Sequence, residues 1–460
     1  MNSDQRVGGS FRDPSGFLFT RRNVIYRQVN KSYRQNYDLL QESGLYKELT
    51  DRGFLIPHTE VETDAPDPEL AYKIIQPERL EFVSYPYEWC FSQLKDAALL
   101  TLDLQKRALT RGMWIKDASA TNIQFHKGRP ILIDSLSFEV YPEGQPWVAY
   151  RQFCQHFLAP LALMALKDVR LSQLLRIHID GIDLGLTSKL LPRSTRFNLG
   201  LLTHIHLHAA AQKRYAGQSI HRRPGGGGVS KMAMLGLLDH LERTVQKLKW
   251  TPAGTAWGDY YRETNYSQAA QKHKIDLVRT FIKQAEPKSL WDLGANTGIY
   301  SRLASEQGIF TLATDYDPAA VEISYLRTRN EREPNLLPLV IDLGNPSAAI
   351  GWANQERKSL TERGPADAIM ALALIHHLAI GNNVPLRRIA EFLSLLGSWL
   401  IIEFVPKADS QVQRLLVSRK DIFDKYDRDG FVDAFAPHYQ IIREEPISDS
   451  QRTLFLMKSK

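Results

Sequence analysis

The stretch Asp292-Leu293-Gly294-Ala295-Asn296-Thr297-Gly298 constrains this chain more than any other. It follows the apolar approach Ser289-Leu290-Trp291, and a helix is predicted from about Ile299. A strand that turns through glycines into a helix brings backbone close to a ligand and leaves helix N–H groups free to hold an anionic end. Asp315 ends the next apolar run, Phe310-Thr311-Leu312-Ala313-Thr314. An acid about twenty residues after such a loop suits ribose hydroxyls. The C-terminal half is therefore expected to bind a nucleoside-type cofactor.

The glycine spacing separates the candidates. A dinucleotide loop has the spacing G-x-G-x-x-G, whereas this one is D-x-G-x-x-x-G with Asn at 296, and no Gly-Lys-Ser/Thr marks a P-loop here. Asp292 would repel a pyrophosphate but attracts an ammonium or sulfonium. S-adenosylmethionine carries both charges, a carboxylate for the loop amides and a ribose for Asp315.

With those residues in place, the region from about Trp257 to Lys460 resembles the class I S-adenosylmethionine-dependent methyltransferases. The resemblance places Asp292, Gly294, Asn296 and Gly298 in the cofactor loop, Asp315 on the ribose and Asp342, after the run 336–341, near the adenine. It makes 367–373 the fourth strand, pointing at the substrate, with Ala371 beside the cofactor and His376-His377-Leu378 following. The fold it implies is α/β: a Rossmann-like, doubly wound, mostly parallel sheet with an antiparallel last strand.

The alternation of runs supports that sheet. Strands are predicted near 289–293, 309–314, 336–341, 366–372 and 398–405. Helices are predicted at about 298–307, 317–330, 347–360 and 384–396. The apolar runs Tyr439–Glu444 and Arg452–Met457 are expected to close the sheet as an antiparallel hairpin.

At 460 residues, 43% of them hydrophobic, the chain can build two or three cored domains. Its 58 Lys+Arg against 51 Asp+Glu give a formal charge of +7. That mild excess permits nucleic acid as a partner but does not call for it. Cys90 and Cys154 lie far apart without metal spacing, which fits free thiols in a reducing compartment, and no metal site is expected. Met1–Ser15 is polar, and the run Phe157–Leu166 is too short to span a bilayer. The expectation is a soluble, cytoplasmic protein.

The run Arg222-Arg223-Pro224-Gly225-Gly226-Gly227-Gly228 is expected to be a flexible loop or linker. Ser230 caps a predicted helix to Trp250, with Met232, Leu235, Leu238, Leu241, Val245 and Leu248 at helical spacing. These features divide the chain into 1–220, a connecting region 221–256, and 257–460.

The N-terminal part carries a second pattern. Asp117 precedes Asn122 by five residues, and Asp134 ends the hydrophobic strand of 130–134. The spacing resembles the catalytic loop and metal-binding Asp of the protein-kinase and aminoglycoside-phosphotransferase superfamily. There the first Asp contacts the acceptor hydroxyl while the Asn and second Asp hold Mg²⁺. The resemblance implies an α+β kinase-like domain, with a hairpin over Gly16–Val29, a helix over Lys31–Asp51, strands within Leu70–Tyr85, a hinge at Pro86–Trp89 and a long helix over Phe91–Thr110. The usual catalytic-loop His is Ile115, no glycine-rich phosphate loop is visible, and Arg27 or Lys73 would have to replace the phosphate-binding Lys. Asp, Asn and Asp are also turn and cap residues. The expected domain is degenerate, with Asp117, Asn122 and Asp134 as a kinase-like remnant.

Methyl transfer is an in-line displacement that depends mostly on orientation. His376 and His377 are candidate bases, and Glu403, closing the fifth strand, is a third. Tyr261 and Tyr266, in the aromatic-rich segment 257–266, are candidate substrate contacts. No Asn/Asp-Pro-Pro-aromatic follows the fourth strand, which argues against adenine or glutamine amino methylation, and the C-terminal half has no cysteine for pyrimidine C5 chemistry. The expected activity is methyl transfer from S-adenosylmethionine to O, N or C of a metabolite or modified biomolecule. The alternatives are an ATP-dependent phosphotransferase or a non-catalytic docking module in the N-terminal half.

Overall fold

A computed structural model describes residues 4–215, 228–252, 266–417 and 420–460. Tyr261 and the linker residues 222–227 lie outside the described residues. The chain divides into two units: Met1–Thr251 with Ile350–Arg357, and Pro252–Ala349 with Lys358–Lys460.

The first unit opens on a five-stranded antiparallel sheet. Its strands are β1 (Gln5–Arg6), β2 (Gly16–Arg21), β3 (Val24–Asn30), β4 (His58–Glu60) and β5 (Ala71–Pro77), in the order β1-β2-β3-β5-β4. Arg22 and Asn23 link β2 to β3 with φ of 49° and 64°, the two positive values that a tight two-residue hairpin requires. The predicted helix over 31–51 is two helices, Arg34–Glu42 and Leu45–Asp51, because Gly44 at φ 73° breaks it. The long helix runs Phe91–Thr110 as expected, with Gln93 Oε1 accepting the Cys90 amide at 3.0 Å. Its inner side is buried through Leu94, Ala98, Leu102 and Leu109.

After it come β6 (Met113–Ile115), β7 (Ile123–His126), β8 (Arg129–Leu132) and β9 (Phe138–Val140), paired β6 with β9 and β7 with β8. Sheet, hinge, long helix and paired short strands follow in the order expected of a kinase-like domain. The helix Lys231–Lys247, capped by the Ser230 hydroxyl, belongs to this unit. Lys106 of the long helix holds it through Asp239 at 2.6 Å and Glu242 at 2.5 Å.

The second unit is a seven-stranded sheet. Its strands are β10 (Ser289–Leu293), β11 (Phe310–Asp315), β12 (Leu336–Val340), β13 (Ala366–Ala371), β14 (Gly397–Phe404), β15 (Tyr439–Pro446) and β16 (Thr453–Ser459). The order is β12-β11-β10-β13-β14-β16-β15, and β16 runs antiparallel to both its neighbours while β10 to β14 are parallel. This is the expected doubly wound, mostly parallel sheet with an antiparallel closing hairpin. Leu290, Met370, Ile401 and Leu456 of the sheet form its core with Val278 and Phe281 of the helix Gln268–Ala285.

One predicted helix does not form. Residues 347–360 are irregular, and 350–357 fold with the first unit. Gly351, Ala353 and Asn354 all have positive φ, and Glu356 turns back to accept the Trp352 amide at 2.7 Å and Arg12 Nε at 3.0 Å. Left-handed residues and a captured carboxylate defeat the helical spacing.

Candidate functional site

In a parallel sheet the strand order reverses at one point, and ligands bind beyond the strand ends there. In the second unit that point is β10, flanked by β11 and β13. A cavity of about 380 Å³ opens beyond these strand ends. Asp292, Gly294, Asn296, Asp315, Asp342, His377 and Tyr266 line it, together with Gln271, Lys274, Tyr300, Leu372, Ala373, Leu374 and Asn382. Two strand residues, Asp292 and Asp315, thus converge with residues that follow β10, β12 and β13 and with Tyr266. Gly298 shapes the loop without lining the cavity: it stands at φ 79°, where a Cβ would meet an Arg302 guanidinium nitrogen at 2.8 Å. Ala371 is buried inside β13, and its place at the cavity is taken by Leu372 and Ala373.

The loop is held by its own backbone. The amides of Gly294 and Ala295 both reach the Thr314 carbonyl at 2.8 Å, and the Asn296 amide reaches Asp315 Oδ2 at 2.8 Å. Thr297 N donates to Asn296 Oδ1, and Gly298 N donates to the Ala295 carbonyl. The expectation that these amides hold the anionic end of a ligand is therefore corrected: they fix the turn instead. Arg302 clamps it further, donating to the Thr297 carbonyl at 2.8 Å while paired with Glu333 at 2.7 Å. Lys274 is the cation among the lining residues.

Asp292 and Asp315 are both buried. Burial pushes Asp292 up to about 7 despite the 2.6 Å hydrogen bond from Ser301, and the charge of Asp315 adds to the shift. Burial also pushes Asp315 up to about 6, against backbone bonds from Asp317 and Asn296. Such carboxylates await a cation or hydroxyl donors. Asp342 is more open and accepts the Gly344 amide at 2.8 Å.

Beneath the cavity lies a group that sequence reasoning did not assemble. Glu403, wholly buried on β14, accepts from Lys274 at 2.6 Å, from Arg452 at 3.4 Å, from the Ala373 amide at 2.9 Å and from the Tyr266 hydroxyl. Burial alone would raise its carboxyl; Lys274 and Arg452 outweigh that and hold it down to about 2. Arg452 is held in turn by Asp409 at 2.7 Å. So committed a carboxylate is a brace for Lys274, Tyr266 and the β13 loop, and it has no oxygen to offer a substrate proton. Lys274 and Arg452 gave no signal because each stands among ordinary charged residues in the sequence.

The two histidines separate. His377 lines the cavity, whereas His376 is buried behind it with an unpartnered Nδ1, the rings 4.2 Å apart. Burial, with the charge of Arg452, draws His377 down to about 4, so it is neutral at pH 7.

In the first unit Asp117 Oδ1 accepts the Ser119 amide at 2.9 Å and the Gln152 side chain at 2.7 Å. Asn122 donates to Ser137 Oγ at 3.2 Å. Asp134 is paired with Arg27. Lys73 instead reaches Glu60 at 2.6 Å on the surface.

The decisive comparison spans nearly the whole chain. It is 34% identical over 466 residues to nodulation protein NoeA of Rhizobium meliloti (strain 1021), covering 98% of this chain and 95% of that protein. The chain belongs to the NoeA family. No family model matches it. Among solved structures, the bifunctional kinase-methyltransferase WbdD aligns over 42% of this chain and 40% of its own, at 15% identity and a TM-score of 0.31. Magnesium protoporphyrin IX methyltransferase ChlM of Synechocystis PCC 6803, with bound SAH, aligns over 42% of this chain and 84% of its own, at 15% identity and a TM-score of 0.29. The fold assignment of this NoeA relative rests on its strand order and pairing.

Proposed function

We propose that the second unit transfers a methyl group from S-adenosylmethionine to an oxygen, nitrogen or carbon of a metabolite or modified biomolecule. One observation carries this reading: two buried carboxylates, Asp292 and Asp315, meet a glycine turn in one cavity at the switch point of the sheet. Asp292 suits the ammonium, Asp315 the ribose hydroxyls and Asp342 the adenine end. Lys274 and Gln271 suit the carboxylate that the loop amides cannot take. Gly294, at φ 78° with only 3.2 Å between an added Cβ and Leu374, is a cradle that a side chain would fill. When bound, the donor supplies a methyl on a sulfonium leaving group.

The chain's own residues do the rest. Leu374 and Leu378 line the cavity and exclude water from the reaction. His377 is a neutral imidazole placed to take a proton from an acceptor oxygen or nitrogen, and Tyr266, fixed by Glu403, faces the same space. The expected result of calorimetry is S-adenosylmethionine binding by the whole chain, lost in Asp315→Ala. Failure of the wild type to bind would end the proposal. Labelled methyl donor, incubated with fractionated cell extract, identifies the acceptor class by whether label follows small molecules, RNA or protein. His377→Ala is expected to lower turnover by about 10²–10⁴-fold while leaving donor affinity within about twofold. An unchanged turnover would remove His377 from the chemistry.

A further inference from the structure

The kinase-like fold of the first unit implies a divalent cation held at Asn122 and Asp134. The donor set does not fit one. We propose that this unit has exchanged the metal for a guanidinium of its own, Arg27, and that Asp134 is neutralised from inside the fold.

Arg27 projects from the middle of β3, 8% exposed, and its terminal nitrogen sits on Asp134 Oδ1. The same oxygen accepts the Leu136 amide at 3.0 Å, and Oδ2 accepts the Ser137 hydroxyl at 2.8 Å. Both oxygens a metal would need are therefore engaged. Asn122 turns its N–H toward Ser137, and Asp117 is tied to Ser119 and Gln152. Magnesium requires a near-octahedral set of oxygens at roughly 2.0–2.1 Å and gives up water reluctantly. A fixed guanidinium on the shared carboxylate also repels it. Arginine cannot lose its proton to make room, as a lysine could.

Nor can Asp134 swing away. Leu136 is buried with Val29, Tyr33, Tyr37 and Ile75, and the Tyr33 hydroxyl bonds the carbonyls of Ser135 and Phe138. Gly16, where β2 begins, lies against Leu136: a Cβ there would approach Leu136 Cδ1 to 2.9 Å. The segment after Asp134 is thus part of the core of the antiparallel sheet. This arrangement removes metal-assisted phosphoryl transfer from the first unit and leaves its Asp-Asn-Asp set as internal scaffolding.

Manganese(II) alone, titrated into the full-length chain and followed by electron paramagnetic resonance, tests this. The wild type is expected to show no site that Asp134→Asn abolishes. Arg27→Met should create one site per chain, tighter than any in the wild type by about a hundredfold, since a like charge has been removed. That site should vanish in Arg27→Met/Asp134→Asn. If Arg27→Met does not fold, Arg27→Gln keeps a polar contact without the charge and carries the same expectation. A wild-type site that depends on Asp134, or a folded charge-free variant that gains none, overturns the proposal. Should neither variant fold, the melting temperature of the wild type decides: no rise with manganese supports the exchange, and a rise that Asp134→Asn removes refutes it.

Discussion

A carboxylate buried as deeply as Asp292 costs more charged than neutral until something positive joins it. Its folded value of about 7 lies above that of the unfolded chain, so the stability it contributes is full below pH ~4 and is lost as pH rises to about 7. That loss is of the order of 4 kcal/mol, shared with Asp315, to which it is coupled. A cationic ligand reverses the sign by needing the charged form. Donor affinity should therefore climb by about tenfold per pH unit up to pH ~7 and level off above it. Calorimetry at pH 5.5, 6.5 and 7.5 measures the slope, and Asp292→Asn should flatten it; a steep slope surviving in that variant would place the titrating group elsewhere. Gly294→Val is expected to abolish donor binding, because a branched side chain at φ 78° is strained by about 1–2 kcal/mol and enters the cavity. Undiminished affinity in a folded variant would misplace the loop. Both residues were legible in the sequence, since the spacing of Asp292, Gly294 and Asp315 has few other uses. The role of Glu403 was not: a carboxylate at a strand end is compatible with base or brace, and only Lys274, Arg452 and Tyr266, from 129, 49 and 137 residues away, decide it.

Elements built on local pattern were foreseeable, and those that depend on distant partners were not. β10 begins and ends where its apolar run does, and the Phe91–Thr110 helix follows its own spacing and cap. The segment 347–360 has helical composition, yet its glycine and its captured Glu356 impose turns. The helix Gln268–Ala285 is tied to β14, and to Arg452 just before β16, by the buried Lys274–Glu403–Arg452 group. Breaking such a group leaves an uncompensated buried charge. Lys274→Met should cost about 3–5 kcal/mol in urea unfolding at pH 7, whereas Lys274→Met/Glu403→Gln should cost less than the sum of its parts, as contacting residues do. Additive losses would show that the pair is not coupled. Glu403, with its carboxyl held at about 2, contributes stability that is present above pH ~4.5 and disappears as pH falls toward 2.

On the scale of the whole molecule, two cores built on different sheets make heating informative. The second unit spans about 200 residues, for which each kcal/mol moves the melting point by roughly 2–4 °C. A ligand at a hundred times its dissociation constant adds about 2.7 kcal/mol to the body that binds it. Saturating S-adenosylmethionine should therefore raise one transition in a calorimetric scan by about 5–11 °C and leave a second in place, because the cavity is lined by residues of the second unit alone. Asp315→Ala should cancel the rise. A single transition that moves as one would mean that the two cores unfold together. If a second transition alone moved, the donor would bind to the first unit, and the carboxylate pair at β10 and β11 would no longer explain the chemistry.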